Sequence, residues 1–122
     1  PEVFLIFAEA DARVNGVTPD AVEAVNKVKR RSYGLSIDVA SDIDYQAAAL
    51  SPESFIDAIL QEKAYEFQFE GKRWFDLKRT GKAAQILLEN KGITIAEKHY
   101  LWPIPLSELN YNQAIDQNNP GY

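Results

Sequence analysis

The sequence predicts an all-α fold: tetratricopeptide-like helix hairpins followed by a largely irregular C-terminal segment. Three observations carry this reading. Apolar residues recur at helical spacing as far as Asn90. Two segments open with the same start signal, Thr18-Pro19-Asp20 and Ser51-Pro52-Glu53: a capping oxygen, a proline at the first helical position and an acid in the first turn. From Ile93 the helical period disappears, and Trp102-Pro103-Ile104-Pro105 must run extended, because a residue before proline is pushed out of the α region.

Residues 3–14 read as the first helix, with Val3, Phe4, Phe7 and Ala8 on one face and Val14 closing it; Asn15-Gly16 stops it. A second helix, 19–32, buries Val22, Val25 and Val28 between Ala21 and Ala24. Lys27, Lys29, Arg30 and Arg31 crowd its end, and Gly34 terminates it. The short turn between the two predicts an antiparallel hairpin, and Ala8, Ala10, Ala12, Ala21 and Ala24 permit close approach. Residues 35–50 form a loop rich in Ser and Asp, with a small apolar patch from Ala47 to Leu50. A long helix is expected over 52–70, broken at Gly71, then shorter ones over 72–79 and 82–90 bounded by Gly81 and Gly92. Ser107-Glu108-Leu109 has room for one helical turn, and Asn119-Pro120-Gly121 signals a turn.

The chain of 122 residues is long enough for one modest core, and 46% hydrophobic with 25% charged is the composition of a soluble globular domain. A net charge of −5 argues against nucleic acid as a partner. Without cysteine there is no disulfide framework and no cysteine-based metal site. No apolar run is long enough to span a membrane. The run Val3–Ala8 is apolar all round, so it is expected to be covered on both sides. Together with Pro1 in place of Met, this suggests a piece of a longer chain, with any targeting signal upstream.

The chemistry-bearing residues concentrate in the 52–70 helix. Phe55, Ile56, Ile59, Leu60 and Phe67 cover one apolar arc, and Lys63, Glu66 and Glu70 fall inside it with Glu62 at its edge. Charges buried alone cost several kcal/mol, so these residues should be paired. The expectation is a structural charge network of Glu62, Lys63, Glu66, Glu70, Arg73, Asp76 and Arg79, fixing the angle between the 52–70 and 72–79 helices, with Lys72 and Arg30 or Arg31 as further cations. The competing reading, two glutamates as a hydrolase acid/base pair, is weaker. Glycosidases oppose their carboxylates across a cleft, whereas residues four apart on a helix point the same way. Asp38, Asp42 and Asp44 offer oxygen ligands for Ca²⁺, but without EF-hand spacing or its glycine, so a solvated loop is favoured. His99 is the only histidine, which excludes a multi-histidine metal site within the chain. The basic run Lys27–Arg31 complements a helix dipole and needs no nucleic acid to explain it. Tyr65, Phe67, Phe69, Trp74, Phe75, Tyr100 and Trp102 invite a sugar-stacking reading, but aromatics at helical spacing usually belong to a core. Tyr33, Tyr45 and Tyr111, in loops, are the better candidates for exposed rings.

The stretch EKAYEFQFEGKRWFDLKRTG resembles the C-terminal signature of the SusD/RagB family, roughly E-R-x-x-E-[FL]-x-F-E-G-x-R-x-x-D-[LI]-x-R-x-G. Glu62, Glu66, Phe67, Phe69, Glu70, Gly71, Arg73, Asp76, Leu77, Arg79 and Gly81 match it by position, and Lys63 stands where the family usually has arginine. Upstream, FLIFAEADARVNG and AVEAVNKVKRRSYGL are similar to the family's Y-x-E-A and N-x-V-R-x-R-A-G helices. Downstream, LWPIPLSELNYNQAIDQNNPGY looks like its W/Y-P-I-P and Q-N-P-G-Y ending. The resemblance implies an α-helical, lipid-anchored nutrient-binding protein at the outer face of the outer membrane of Bacteroidetes. Such a protein works over a SusC-like TonB-dependent transporter and binds glycans or other nutrients without catalysis or cofactor. It also implies that ligand-contacting residues lie mostly upstream of this chain and that the charged residues here are scaffold. The alternative is a helical-repeat module that docks another protein.

Overall fold

The computed structural model describes residues 1–122, which form six α-helices and two short 3-10 turns and no strand. The helices are α1 (Glu2–Asn15), α2 (Pro19–Ser32), α3 (Pro52–Glu66), α4 (Arg73–Arg79), α5 (Ala83–Lys91) and α6 (Leu106–Tyr111), with 3-10 turns at Ala47–Ala49 and Glu97–Tyr100. The chain divides into two compact units, Pro1–Arg73 and Trp74–Tyr122.

In the first unit α1, α2 and α3 pack on one another. The turn between α1 and α2 is held by one carboxylate. Asp11 accepts from the Thr18 hydroxyl and, at 2.7 Å, from the Asn15 amide, while Thr18 Oγ1 accepts from the Ala21 N–H. These bonds, Thr18 first, hold the Asp11 carboxyl below its ordinary value. Ser51 caps α3 reciprocally with Ser54, each hydroxyl accepting from the other residue's backbone N–H. The core is Leu5, Ala8 and Ala12 from α1, Ala21, Val22, Ala24, Val25 and Val28 from α2, and Phe55, Ile59 and Phe67. The alanines let the hairpin backbones approach, so the larger Phe55 and Ile59 have a flat surface to pack against.

Two expectations need correction here. The helix expected over 52–70 ends at Glu66. Phe67 caps it, with its N–H on the Lys63 carbonyl, and a turn runs through Phe67–Gly71. The chain winds off because Phe67 turns into the core while Phe69 stays 96% exposed, and the turn places both Phe69 (φ 67°) and Gly71 (φ 74°) in the left-handed region. Glycine accepts that conformation freely; phenylalanine does so at a cost of about 1–2 kcal/mol. The following helices are correspondingly Arg73–Arg79 and Ala83–Lys91 rather than 72–79 and 82–90. Secondly, the apolar run Val3–Ala8 is not covered on both sides. Leu5 and Ala8 are buried, but Val3, Phe4, Ile6 and Phe7 remain at the surface, because α2 and α3 occupy only one side of α1.

In the second unit Leu77 and Ala83 are buried, and the rings of Trp74 and Tyr100 stack with centroids 6.0 Å apart. The segment after α5 lacks regular structure but not order. Asn118 donates to the Ile104 carbonyl and accepts from its N–H, so one side-chain amide stands in for a neighbouring strand. Asn119 donates to the Trp102 carbonyl at 2.6 Å, and the Tyr122 hydroxyl reaches the Lys98 and Leu101 carbonyls. Gly121 (φ 90°) passes so close to Lys98 that a Cβ there would sit 2.9 Å from the lysine Cβ. The turn expected at 107–109 is the longer α6.

Two stability measurements test this description. Phe55→Ala, which empties the centre of the three-helix core, lowers stability by about 3–5 kcal/mol in denaturant unfolding. Phe69→Gly raises it by about 1 kcal/mol by relieving the left-handed residue; an unchanged or lower midpoint shows that glycine's larger unfolded-chain entropy offsets the relief.

Candidate functional site

The charged residues that the sequence singles out fall on α3, the turn after it and α4, and each finds a different environment. Glu62 is buried, 6% exposed, and accepts from the Tyr45 hydroxyl at 2.8 Å. Lys63 is also buried, with its ammonium 4.0 Å from Glu9 on α1. Glu66 takes both oxygens to the Arg31 guanidinium of α2 at 2.6 Å. Glu70, in the turn, is exposed and pairs at 3.0 Å with Lys72, which also reaches Glu2 at the start of α1. Arg73 Nη1 donates to the Leu60 carbonyl at 2.6 Å. Within α4 the buried Asp76 accepts from Arg79 at 2.6 Å. The expected inward position of Glu70 is therefore corrected: the end of α3 at Glu66 rotates it out of the apolar arc.

A denser polar centre lies around Arg30 of α2. Arg30, 2% exposed, spreads its guanidinium over three acceptors. Nε and Nη2 donate to Asp44, Nη1 and Nη2 to Glu23, and Nη1 also to the Ile37 carbonyl, at 2.5 to 3.0 Å. Asp44 additionally accepts from the Ser41 N–H. The loop expected to be solvated thus has a buried carboxylate at Asp44, whose pKa is held below the ordinary range chiefly by its bonds to Arg30. Arg30 is likewise held above its ordinary value by Asp44 and Glu23. Next to it Asn26 exchanges both bonds with the Tyr45 backbone, at 3.0 and 2.8 Å. A signal for this was present: Val22, Asn26 and Arg30 follow at four-residue spacing on the buried stripe of α2.

Tyr45, fixed in this way, forms the floor of a cleft of about 480 Å³ between the end of α2 and α3. Lys29 and Tyr33 line it from α2 and the residue after it, and Gln61, Glu62 and Tyr65 line it from α3. The Lys29 ammonium lies 4.0 Å from the Tyr45 ring centroid. Burial first, then the bond to Glu62, pushes the Tyr45 phenol well above its usual range, so it stays a donor at all physiological pH values. Chemically the cleft can stack flat rings and exchange hydrogen bonds. Glu62 and Glu66 stand on the same helix wall and do not face each other across it. No group of acidic or histidine side chains in the structure has the arrangement of a metal site, and no helix is long and apolar enough to cross a membrane.

The model of the SusD family matches residues 1–122. Among curated proteins the chain is similar to three from Formosa agariphila: SusD-like protein P2, 33% identical over 99% of this chain, SusD-like protein P25, 28% identical over 99%, and SusD-like protein P38, 30% identical over 98%. The matched regions make up 24%, 23% and 23% of those relatives, so the chain spans about a quarter of their length. No solved structure matches it.

The Arg30 centre yields a mutational and a pH prediction. Arg30→Met leaves the buried Asp44 carboxylate without its cation and destabilises by about 3 kcal/mol or more, and Arg30→Lys, which keeps charge but loses the fork, recovers only part of this. Asp44 has a folded-state pKa below its ordinary value, so its contribution is complete above the ordinary carboxylate range and is lost as pH falls from there through the lower folded-state pKa. Stability measured from pH 7 down to pH 2 therefore drops more steeply in the wild type than in Asp44→Asn.

Proposed function

This chain belongs to the SusD family, and from that premise we propose that it is the C-terminal part of a cell-surface nutrient-binding protein. The parent protein captures a nutrient, a glycan in the leading reading, and passes it to a SusC-like TonB-dependent transporter. It is held at the outer face of the outer membrane by a lipid anchor in a part of the protein upstream of this chain, and it binds without catalysing. The observation that carries this is the family match over residues 1–122, together with three relatives named as SusD-like.

On this reading Glu62, Lys63, Glu66, Glu70, Arg73, Asp76 and Arg79 serve the scaffold. Their partners support that role: Lys63 ties α3 to α1, Glu66 ties α3 to α2, and Glu62 ties α3 to the loop through Tyr45. A hydrolytic pair is disfavoured by chemistry rather than by distance. Glu66 gives both oxygens to one nitrogen of Arg31, Nη2, so it is held as an ion-pair acceptor rather than presented to a substrate. A second reading, a helical module that docks another protein, is favoured by the apolar surface of Val3, Phe4, Ile6 and Phe7.

Glycan-array and calorimetric binding of the full-length protein, set beside this chain alone, tests the leading reading. The full-length protein is expected to bind and the chain alone to bind little. Failure of the full-length protein to bind any glycan or other nutrient, with capture of a protein partner instead, favours the second reading. Glu66→Ala is expected to lower stability by about 1 kcal/mol, in line with a pair whose arginine is half exposed. A fully stable variant that has lost a hydrolytic activity would reverse the assignment.

A further inference from the structure

The cleft between α2 and α3 is not used by anything described so far, and its lining is unusual for a gap in a scaffold. Three tyrosines from three places in the chain converge there: Tyr33 after α2, Tyr45 in the loop and Tyr65 on α3. Tyr33 and Tyr65 are 65% and 67% exposed, and Tyr45 lies deeper. Beside Tyr45 stands Glu62, a carboxylate more than nine-tenths buried whose one hydrogen bond is from the Tyr45 hydroxyl and which has no ammonium or guanidinium in ion-pair contact. No buried side-chain polar atom lacks a partner, so the second Glu62 oxygen is open to the cleft, where a guest that brings hydrogen-bond donors can reach it.

The charges select the guest. Glu66 on the same wall is already neutralised by Arg31, which leaves Glu62 and Lys29 as the formal charges facing the cleft. An anion would meet Glu62 and a cation would meet Lys29, whereas a neutral molecule rich in hydroxyls can donate to Glu62 and the Gln61 amide oxygen and accept from Lys29. The tyrosine faces offer the apolar stacking surface that the C–H side of a pyranose presents, while their hydroxyls meet its rim. A volume of about 480 Å³ falls within the range of small-molecule clefts, roughly 300–1,000 Å³.

We propose that this cleft is a saccharide subsite carried by the chain itself, with one pyranose unit set between Tyr33 and Tyr65 and its hydroxyls shared by Glu62, Gln61, Tyr45 and Lys29. The choice of a saccharide rests on the nutrient-binding reading above, and the subsite is separate from the upstream ligand site which that reading expects. A lone sugar unit against two exposed rings binds weakly, in the millimolar range at about 4 kcal/mol. Such a subsite adds to overall capture when a longer chain engages both places at once.

The test uses the full-length protein labelled with ¹³C in its tyrosine rings and titrated with the methyl glycosides of glucose, galactose, mannose and xylose. The expected result is saturable movement of the Tyr33, Tyr45 and Tyr65 signals with at least one glycoside. Tyr33→Ala combined with Tyr65→Ala, both at exposed positions, weakens that binding about tenfold or more. Glu62→Gln, whose amide oxygen can still accept from Tyr45, weakens it while the Tyr45 signal keeps its folded position. Oligosaccharide binding that leaves all three tyrosines unmoved overturns the subsite and leaves the nutrient-binding reading standing. Tyrosine shifts with a glycoside, in a protein that binds no oligosaccharide elsewhere, support the subsite and count against that reading. Equal shifts in the wild type and in the double tyrosine variant mean an adventitious additive only, and overturn the proposal.

Discussion

The first unit depends on one buried guanidinium. Taking an arginine out of water costs several kcal/mol unless its donors are answered, and the donors of Arg30 are answered by Asp44, Glu23 and the Ile37 carbonyl. Two of these acceptors lie in the loop after α2, so satisfying Arg30 requires that loop to fold back along the helix. Asn26, one turn earlier, then clamps the Tyr45 backbone from both sides. With Tyr45 held, its hydroxyl can reach Glu62 on α3, and the cleft has a floor. The position of a tyrosine in a loop thus follows from the desolvation of an arginine inside a helix.

Several of the other ion pairs are of a different kind. Lys27 with Asp38, Lys72 with Glu2 and Glu70, and Arg13 with Glu9 each leave at least one partner substantially in water. Pairs like these contribute between nothing and about 1 kcal/mol. Lys27 and Lys72 are held above their ordinary values by their carboxylates, mainly through the hydrogen bonds to Asp38 and Glu2, but both are open to solvent.

How much of this could be read from residues alone differs by feature. The starts of α2 and α3 were legible because a capping oxygen, a proline and an acid each leave a separate mark on the sequence. The end of α3 was not, since nothing in Phe67-Gln68-Phe69-Glu70 forbids a helix. The demand that Phe67 face the core outweighs the local preference of Phe69. Arg30 was hidden for another reason: a basic residue in the last turn already has an explanation in the helix dipole, and that explanation masks its burial. The family signature was visible because its residues are close together in sequence. The tyrosine cleft was not, because its walls come from a helix end, a loop and a different helix.

The spacing of the Arg30 contacts bears on the order in which the unit is built. Glu23 and Ile37 are seven residues away and Asp44 fourteen. The Arg31–Glu66 pair closes thirty-five residues, and Lys72–Glu2 seventy. Short loops lose less entropy on closing than long ones, so the second helix and its returning loop can assemble as a local nucleus before the third helix arrives. The third helix then docks onto a surface whose polar interior is already complete. The most demanding electrostatic step of the unit is thus also among its most local, and it closes at a small entropic cost.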